Sequence, residues 1–257
     1  MISKEAMFQR YAADRRRSEY PGMTRTDLEC AVLYESQSAN GEHFLQFTSL
    51  DVARADAFIA QVVAQAEKSG RALEWKTYAF DTPHDLVTRL QRAGFEPEDE
   101  ESFLVYSLAK FSPRTVEQTA DWKIERITTA SGIADIVGIQ ERVYGRKMPR
   151  LYDRLSKDLE TSAQHFFCAY ADALPIGCGY IEYLAGSQFP ELHGGAVLAE
   201  YRGRGVYGAL YAVRFEEAIA RGYEFVAVDA SSMSRPILEA IGFERICATR
   251  PMRWAAD

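Results

Sequence analysis

The sequence predicts an α/β protein built as two related units, and three observations carry that prediction. Stretches with strand-like and helical apolar spacing alternate along the 257 residues, the pattern of sheets covered by helices. A polar segment at residues 111–121, with a proline and no apolar period, divides them into two series. The two series also end alike: a helix closed by glycine (Gly70, Gly222), a strand, a helix opened near proline (Pro83, Pro236), a Gly-Phe pair (Gly94-Phe95, Gly242-Phe243), and a strand. Such self-similarity points to two copies of one unit, bounded at residues 1–115 and 121–257, with the polar segment as linker.

In the first series, Met7, Phe8 and Tyr11 give an opening helix one packed face, and Arg15, Arg16 and Arg17 read as its solvated side. Pro21-Gly22 ends it. Strands are expected over Glu29–Tyr34 and His43–Ser49, around a Ser/Asn/Gly turn. Phe58, Ile59, Val62 and Val63 recur at helical spacing within Val52–Lys68, and Gly70 supplies the stop. A strand at Leu73–Ala79, a helix through Leu86 and Leu90, and a strand at Ser102–Leu108 complete the series. The second series reads as strand Trp122–Arg126, helices Ile133–Tyr144 and Leu151–Leu159, and strands Phe166–Tyr170, Ile176–Tyr183 and Glu191–Leu198. A long helix Val206–Arg221, strand Phe225–Asp229, short helix Arg235–Ile241 capped by Ser234, and a strand ending at Trp254 follow.

Composition narrows the function. With 37 acidic against 30 basic residues the net charge is −7, which argues against a protein held on nucleic acid or anionic lipid by its overall field. No apolar run approaches the ~20 residues of a membrane span, and the N-terminus lacks the apolar core of a secretory signal, so a cytoplasmic protein is expected. Cys30, Cys168, Cys178 and Cys247 are scattered among apolar runs without CxxC spacing, and the four histidines are equally dispersed. Buried thiols, no disulfide and no structural metal are expected.

Chemistry concentrates at Val197–Ala209, where Arg202, Gly203, Arg204, Gly205 and Gly208 stand between an apolar strand and a long helix. Glycines let backbone N–H groups converge on a ligand, and a helix N-terminus adds unpaired donors and partial positive charge. The product is a pyrophosphate cradle. No Lys-Ser/Thr pair follows it, and the strand and downstream acid of a dinucleotide fold are missing.

These residues resemble the phosphate loop, Q/R-x-x-G-x-G/A, of the Gcn5-related N-acetyltransferase (GNAT) superfamily. Arg202-Gly203-Arg204-Gly205-Val206-Tyr207 matches it except that Tyr207 replaces the last Gly or Ala, with Gly208 immediately after. Ile237–Phe243 is similar to the superfamily's closing Gly-Phe segment, and the element order agrees from Trp122 to Trp254. The resemblance implies tandem units, each with a central mixed sheet flanked by helices, and acetyl-CoA as co-substrate. Its pantetheine would pair as an extra strand along Val197, Leu198 and Ala199. Its pyrophosphate would lie on the loop and the helix start, Arg202 to Ala209, including Val206 and Tyr207. Gly194-Gly195 is what a bulge that splays the strands requires.

Acetyl transfer to an amine needs a group that removes a proton from an ammonium. Glu191 lies where histone-type members place a catalytic glutamate, and period 2 sets His193 on the same face. Glu191 also reads as a surface carboxylate after Pro190, and His193 as a packed imidazole. The tyrosine that protonates the departing thiolate in many members is replaced by Leu238; Tyr207 and Ser231 read better as a pocket wall and a turn hydroxyl. Arg146, Lys147 and Arg150 flank the expected acceptor entrance and suit either an acidic acceptor or plain solvation. In the first unit the matching link, Leu50-Asp51-Val52, has no glycine, and Asp51 and Asp56 would repel phosphate, so that copy is expected to be degenerate. The function implied is acetyl-CoA-dependent N-acetylation of a primary amine on a small molecule or peptide, without nucleic acid or membrane partners; a homodimer is compatible with it. The alternative is an acyl-CoA-binding sensor or scaffold without turnover.

Overall fold

The computed structural model describes residues 2–38, 41–112, 121–161 and 163–255. Most of the expected linker falls outside them. The chain divides into two compact units, one of Met1–Val105 with Asp229–Asp257 and one of Tyr106–Val228. The sequence bounds place residues 229–257 with the second unit; here they group with the first, because the last strand joins that unit's sheet.

In the first unit, α1 (Lys4–Arg15) starts at Ser3, whose hydroxyl accepts from Ala6 N–H. Its Phe8 and Tyr11 rings pack on Phe47, Tyr78 and Phe103. Arg15 is not on a solvated side as expected. The helix stops there, and the side chain is buried, with its guanidinium 5.5 Å from the Tyr11 ring and 6.0 Å from that of Tyr20. Strands β1 (Met23–Asp27), β2 (Val32–Ser36) and β3 (His43–Gln46) form an antiparallel meander. Helix α2 (Val52–Ser69) is capped by Asp51 and closed by left-handed Gly70. It leads to β4 (Leu73–Tyr78), parallel to β3. Then come α3 (Leu86–Arg92), β5 (Glu96–Pro97) and β6 (Glu101–Ser107).

Far along the chain, α7 (Arg235–Ile241) and β12 (Glu244–Trp254) complete this unit. Strand β12 runs antiparallel to β4, β5 and β6, and its Met252 and Trp254 enter the core built on Leu45, Ile59, Trp75 and Leu90. Ser234 precedes α7 but makes no cap bond with its side chain; its hydroxyl turns to Ser231 instead.

The second unit holds β7 (Lys123–Ile127), α4 (Ala130–Tyr144), α5 (Pro149–Thr161), β8 (Gln164–Ala171), β9 (Leu174–Glu182), β10 (Glu191–Val197), α6 (Val206–Ala220) and most of β11 (Phe225–Ala230). The sheet order is β11-β10-β9-β8-β7. It is antiparallel except for the parallel pair β10–β11, so both units carry mixed sheets. Ile133, Ile136 and Ile139 of α4 pack with Phe166, Cys168, Cys178 and Tyr180. Helix α6 is seated by Arg214, whose Nη1 donates to the Tyr180 carbonyl. Gly179 makes room for it, since a Cβ there would lie 2.9 Å from Arg214 Cζ. Among the described residues no helix is long and apolar enough to cross a membrane. All four cysteines are free thiols, with Cys168, Cys178 and Cys247 buried.

Candidate active site

The junction of β10 and α6 is open, glycine-rich backbone. Gly203 and Gly205 adopt left-handed φ of 74° and 81°, which a side chain tolerates poorly. A Cβ placed on Gly203, Gly205 or Gly208 would touch nothing within 4 Å. Gly205 is the N-cap of α6, and no side chain caps the first turn. The N–H groups of the first turn, up to Gly208, are therefore presented to a ligand rather than to a serine or aspartate, while Ala209 N–H already donates to the Gly205 carbonyl.

Arg202 and Arg204 are exposed. Arg202 Nε donates to the Val197 carbonyl across the turn, and Arg204 lies over the Tyr201 ring. Val197 and Leu198 are buried, whereas Ala199 is exposed and opens a 3-10 turn, Ala199–Tyr201. Strand β10 thus ends at Val197, and Ala199 belongs to the turn beyond it.

Strand β10 carries the expected bulge. Its register with β9 shifts between His193 and Ala196, and Gly194 has φ 60°. Gln140 Nε2 on α4 donates to the Gly194 carbonyl, which holds the bulge in place. Among the described residues the register of β10 with β11 consists of Glu191↔Ala227, so the two strands part beyond the first residue of β10. Tyr207 lies beside this gap: a Cβ on Gly195 would be 3.3 Å from its hydroxyl. That hydroxyl pairs with Tyr211 at 3.2 Å. Burial first, then Tyr211, pushes the Tyr207 phenol well above its ordinary pKa, so it is neutral at physiological pH.

The first unit differs at the corresponding place. Thr82 N–H donates to the Thr48 carbonyl, Leu50 N–H donates to the Thr82 carbonyl, and Asp81 accepts from Thr48 and Tyr78 N–H. The strands stay laced together up to the helix, where Asp51 already accepts from Ala53 N–H.

Glu191 and His193 meet as period 2 required: His193 Nε2 is 3.6 Å from Glu191 Oε2. The register adds a residue the sequence reading missed. Glu182 on β9 stands opposite Glu191, is 8% exposed, and reaches within 3.9 Å of His193 Nε2. Cross-strand neighbours depend on register, and no local pattern announces them. Gln164 Nε2 holds Glu182 Oε1 at 3.0 Å, and the Tyr180 ring stacks on His193 at 5.7 Å. Nearby, burial raises the Asp158 carboxyl, Glu182 adds to that, and Arg154 opposes it. At the expected acceptor entrance, Lys147 is paired with Glu141 at 2.7 Å. Leu238 is buried on α7, in the other compact unit.

Residues 133–243 match the acetyltransferase (GNAT) family. No curated protein matches the chain. Solved structures similar to it include a functionally unknown conserved protein from Staphylococcus epidermidis, 13% identical, with TM-score 0.67 over 93% of this chain and 96% of that one. A GCN5-related N-acetyltransferase from Kribbella flavida is 13% identical, with TM-score 0.65 over 97% of this chain and 93% of its own. A tandem GNAT protein from the clavulanic acid biosynthesis pathway is 13% identical, with TM-score 0.63 over 94% and 86% of the two chains. At such identities the likeness is one of fold, and it extends over both units. Residues 133–243 thus match the acetyltransferase (GNAT) family, and the chain shares its fold with GNAT structures, a tandem one among them.

Proposed function

We propose that the protein is an acetyl-CoA-dependent N-acetyltransferase acting on a primary amine of a small molecule or peptide, with its chemistry in the second unit. The observation that carries the reading is the uncapped, glycine-lined start of α6 beside a strand that leaves its parallel neighbour after Glu191. Acetyl-CoA supplies the acyl group as a thioester. The first-turn N–H groups of α6 receive its pyrophosphate, helped by Arg202 and Arg204, and the backbone of Gly195–Val197 pairs with the pantetheine amides.

Glu191 and His193, on one face of β10, accept a proton from the acceptor ammonium. The freed nitrogen attacks the thioester carbon, the C–S bond breaks, and the sulfur leaves with the electron pair. A thiol of ordinary pKa ~8.5 departs tolerably without a dedicated acid, which accommodates Leu238. In this reading the first unit binds no acyl-CoA, because its strands are laced shut and Asp51 occupies its helix start.

Leu238 also favours a second reading, an acyl-CoA sensor without turnover. Calorimetry with acetyl-CoA, and free-thiol release on a panel of amines, separate the two. The expected results are binding abolished by Gly205→Glu, which places a carboxylate in the cradle, and thiol release by the wild type on at least one amine. Unchanged affinity in Gly205→Glu refutes the cradle; binding without thiol release favours the sensor.

A further inference from the structure

We infer that Glu182, Glu191 and His193 form a binding site for a divalent transition-metal ion, Zn2+ foremost, and that occupancy of this site shuts off acetyl transfer. The three side chains come from neighbouring strands. The pairs Glu191↔Glu182 and His193↔Tyr180 set them on one face, and their ligand atoms all lie within 4.8 Å of one another. In a tetrahedral zinc site with bonds of ~2.0–2.1 Å, neighbouring donors stand about 3.3 Å apart. His193 Nε2 is already 3.6 Å from Glu191 Oε2 and 3.9 Å from Glu182 Oε2, so small side-chain rotations bring the donors to bonding distance.

The surroundings fit an ion site independently of this spacing. The Glu182 side chain is 11% exposed, and its Oε1 is held by Gln164. Its Oε2 faces the cluster, beyond hydrogen-bond distance of the imidazole. A buried carboxylate directly opposite a second carboxylate carries a like-charge cost that a bound cation lowers. The Gln164 bond is the kind of outer contact that orients a ligating carboxylate, and the Tyr180 ring fixes the imidazole plane. Two carboxylates and one imidazole suit Zn2+ or Mn2+ better than Cu(I) or Ca2+, and three protein ligands leave a position for water.

The effect on catalysis rests on the proposed role of Glu191 and His193. Once ligated, neither accepts a proton from the acceptor. Zn2+ therefore competes with the amine and leaves acetyl-CoA binding at Arg202–Gly208 untouched.

The test is a competition titration of the full chain with Zn2+ against a chromophoric chelator, alongside the absorption spectrum of bound Co2+. The expected result is one ion per chain, weakened at least tenfold in both His193→Ala and Glu182→Gln, with thermal midpoint and acetyl-CoA affinity preserved as controls on folding. No stoichiometric ion in the wild type, or unchanged affinity in both variants, overturns the site. Zn2+ that raises the apparent KM for the amine alone supports the coupling. A bound ion with undiminished thiol release overturns the coupling while leaving the transferase reading intact. A bound ion in a protein that releases no thiol on any amine counts instead against the transferase reading.

Discussion

Replacing Gly194 with alanine tests the bulge, and with it the opening beside β10. The residue lies at φ 60°, and a Cβ on it would stand 2.1 Å from Tyr180 Cε1 and 2.6 Å from Gln140 Nε2. Left-handed backbone costs a non-glycine residue ~1–2 kcal/mol. Forcing extra volume into a packed site costs ~1–3 kcal/mol more. The Tyr180 ring is boxed between Phe166 and His193, so it cannot step aside cheaply. Gly194→Ala should therefore destabilise the second unit by about 2–5 kcal/mol, lower its thermal midpoint by roughly 10 °C, and weaken acetyl-CoA binding. Gly138→Ala is the control: it lies inside α4 with nothing within 4 Å of its Cβ, and should stabilise by ~0.5–1 kcal/mol. Urea unfolding followed by far-UV circular dichroism reads both. Two shifts of the same sign, or a Gly194→Ala protein as stable as wild type, would refute the reasoning.

Glu191→Gln should lower kcat/KM by roughly 10²–10⁴-fold and alter the pH profile; an unaffected profile removes Glu191 from proton transfer. Burial pushes the Asp81 carboxyl up to about 8, against the opposing bonds from Tyr78 and Thr48 N–H. A carboxyl raised above its unfolded value of ~3.9 holds more protons when folded, so its contribution is greatest below that pH and declines as pH rises towards 8. Asp81→Asn should flatten this decline in a stability–pH series, and an equally steep series would contradict the assignment. Burial also raises the thiols of Cys168 and Cys247 to about 12 and that of Cys178 further. Native protein at pH 8 should accordingly alkylate at half-buried Cys30 alone, as peptide mapping would show; modification of Cys178 without unfolding would contradict the packing under β9.

Local features were legible in the sequence where one residue type has few alternatives. Gly194-Gly195 marked the bulge, Gly70 marked the end of α2, and Gly203-Arg204-Gly205 marked the turn into α6, because left-handed backbone and helix ends restrict the residues that fit. Features that depend on distant pairing were not legible. Strand β1 has a mostly exposed run, Met-Thr-Arg-Thr-Asp, with no apolar alternation, and exists through its ladder with β2. Arg15 looked solvated although Tyr11 stands one turn before it on α1, because Tyr20 reaches it only after the chain turns at the end of the helix. Glu182 became part of the site through register alone.

The pairing of β12 with β4 and β6 orders events during synthesis. Residues 1–105 emerge first, but their sheet lacks a strand that is translated only with residues 244–254. At ~5–20 residues per second the delay is roughly 8–30 s, during which the edges of β4 and β6 wait without that partner. The second unit, continuous in sequence from Tyr106 to Val228, is free to fold in the interval. A nascent chain stalled near residue 230 should therefore protect Cys168 and Cys178 from alkylation before Trp75 reaches its native fluorescence.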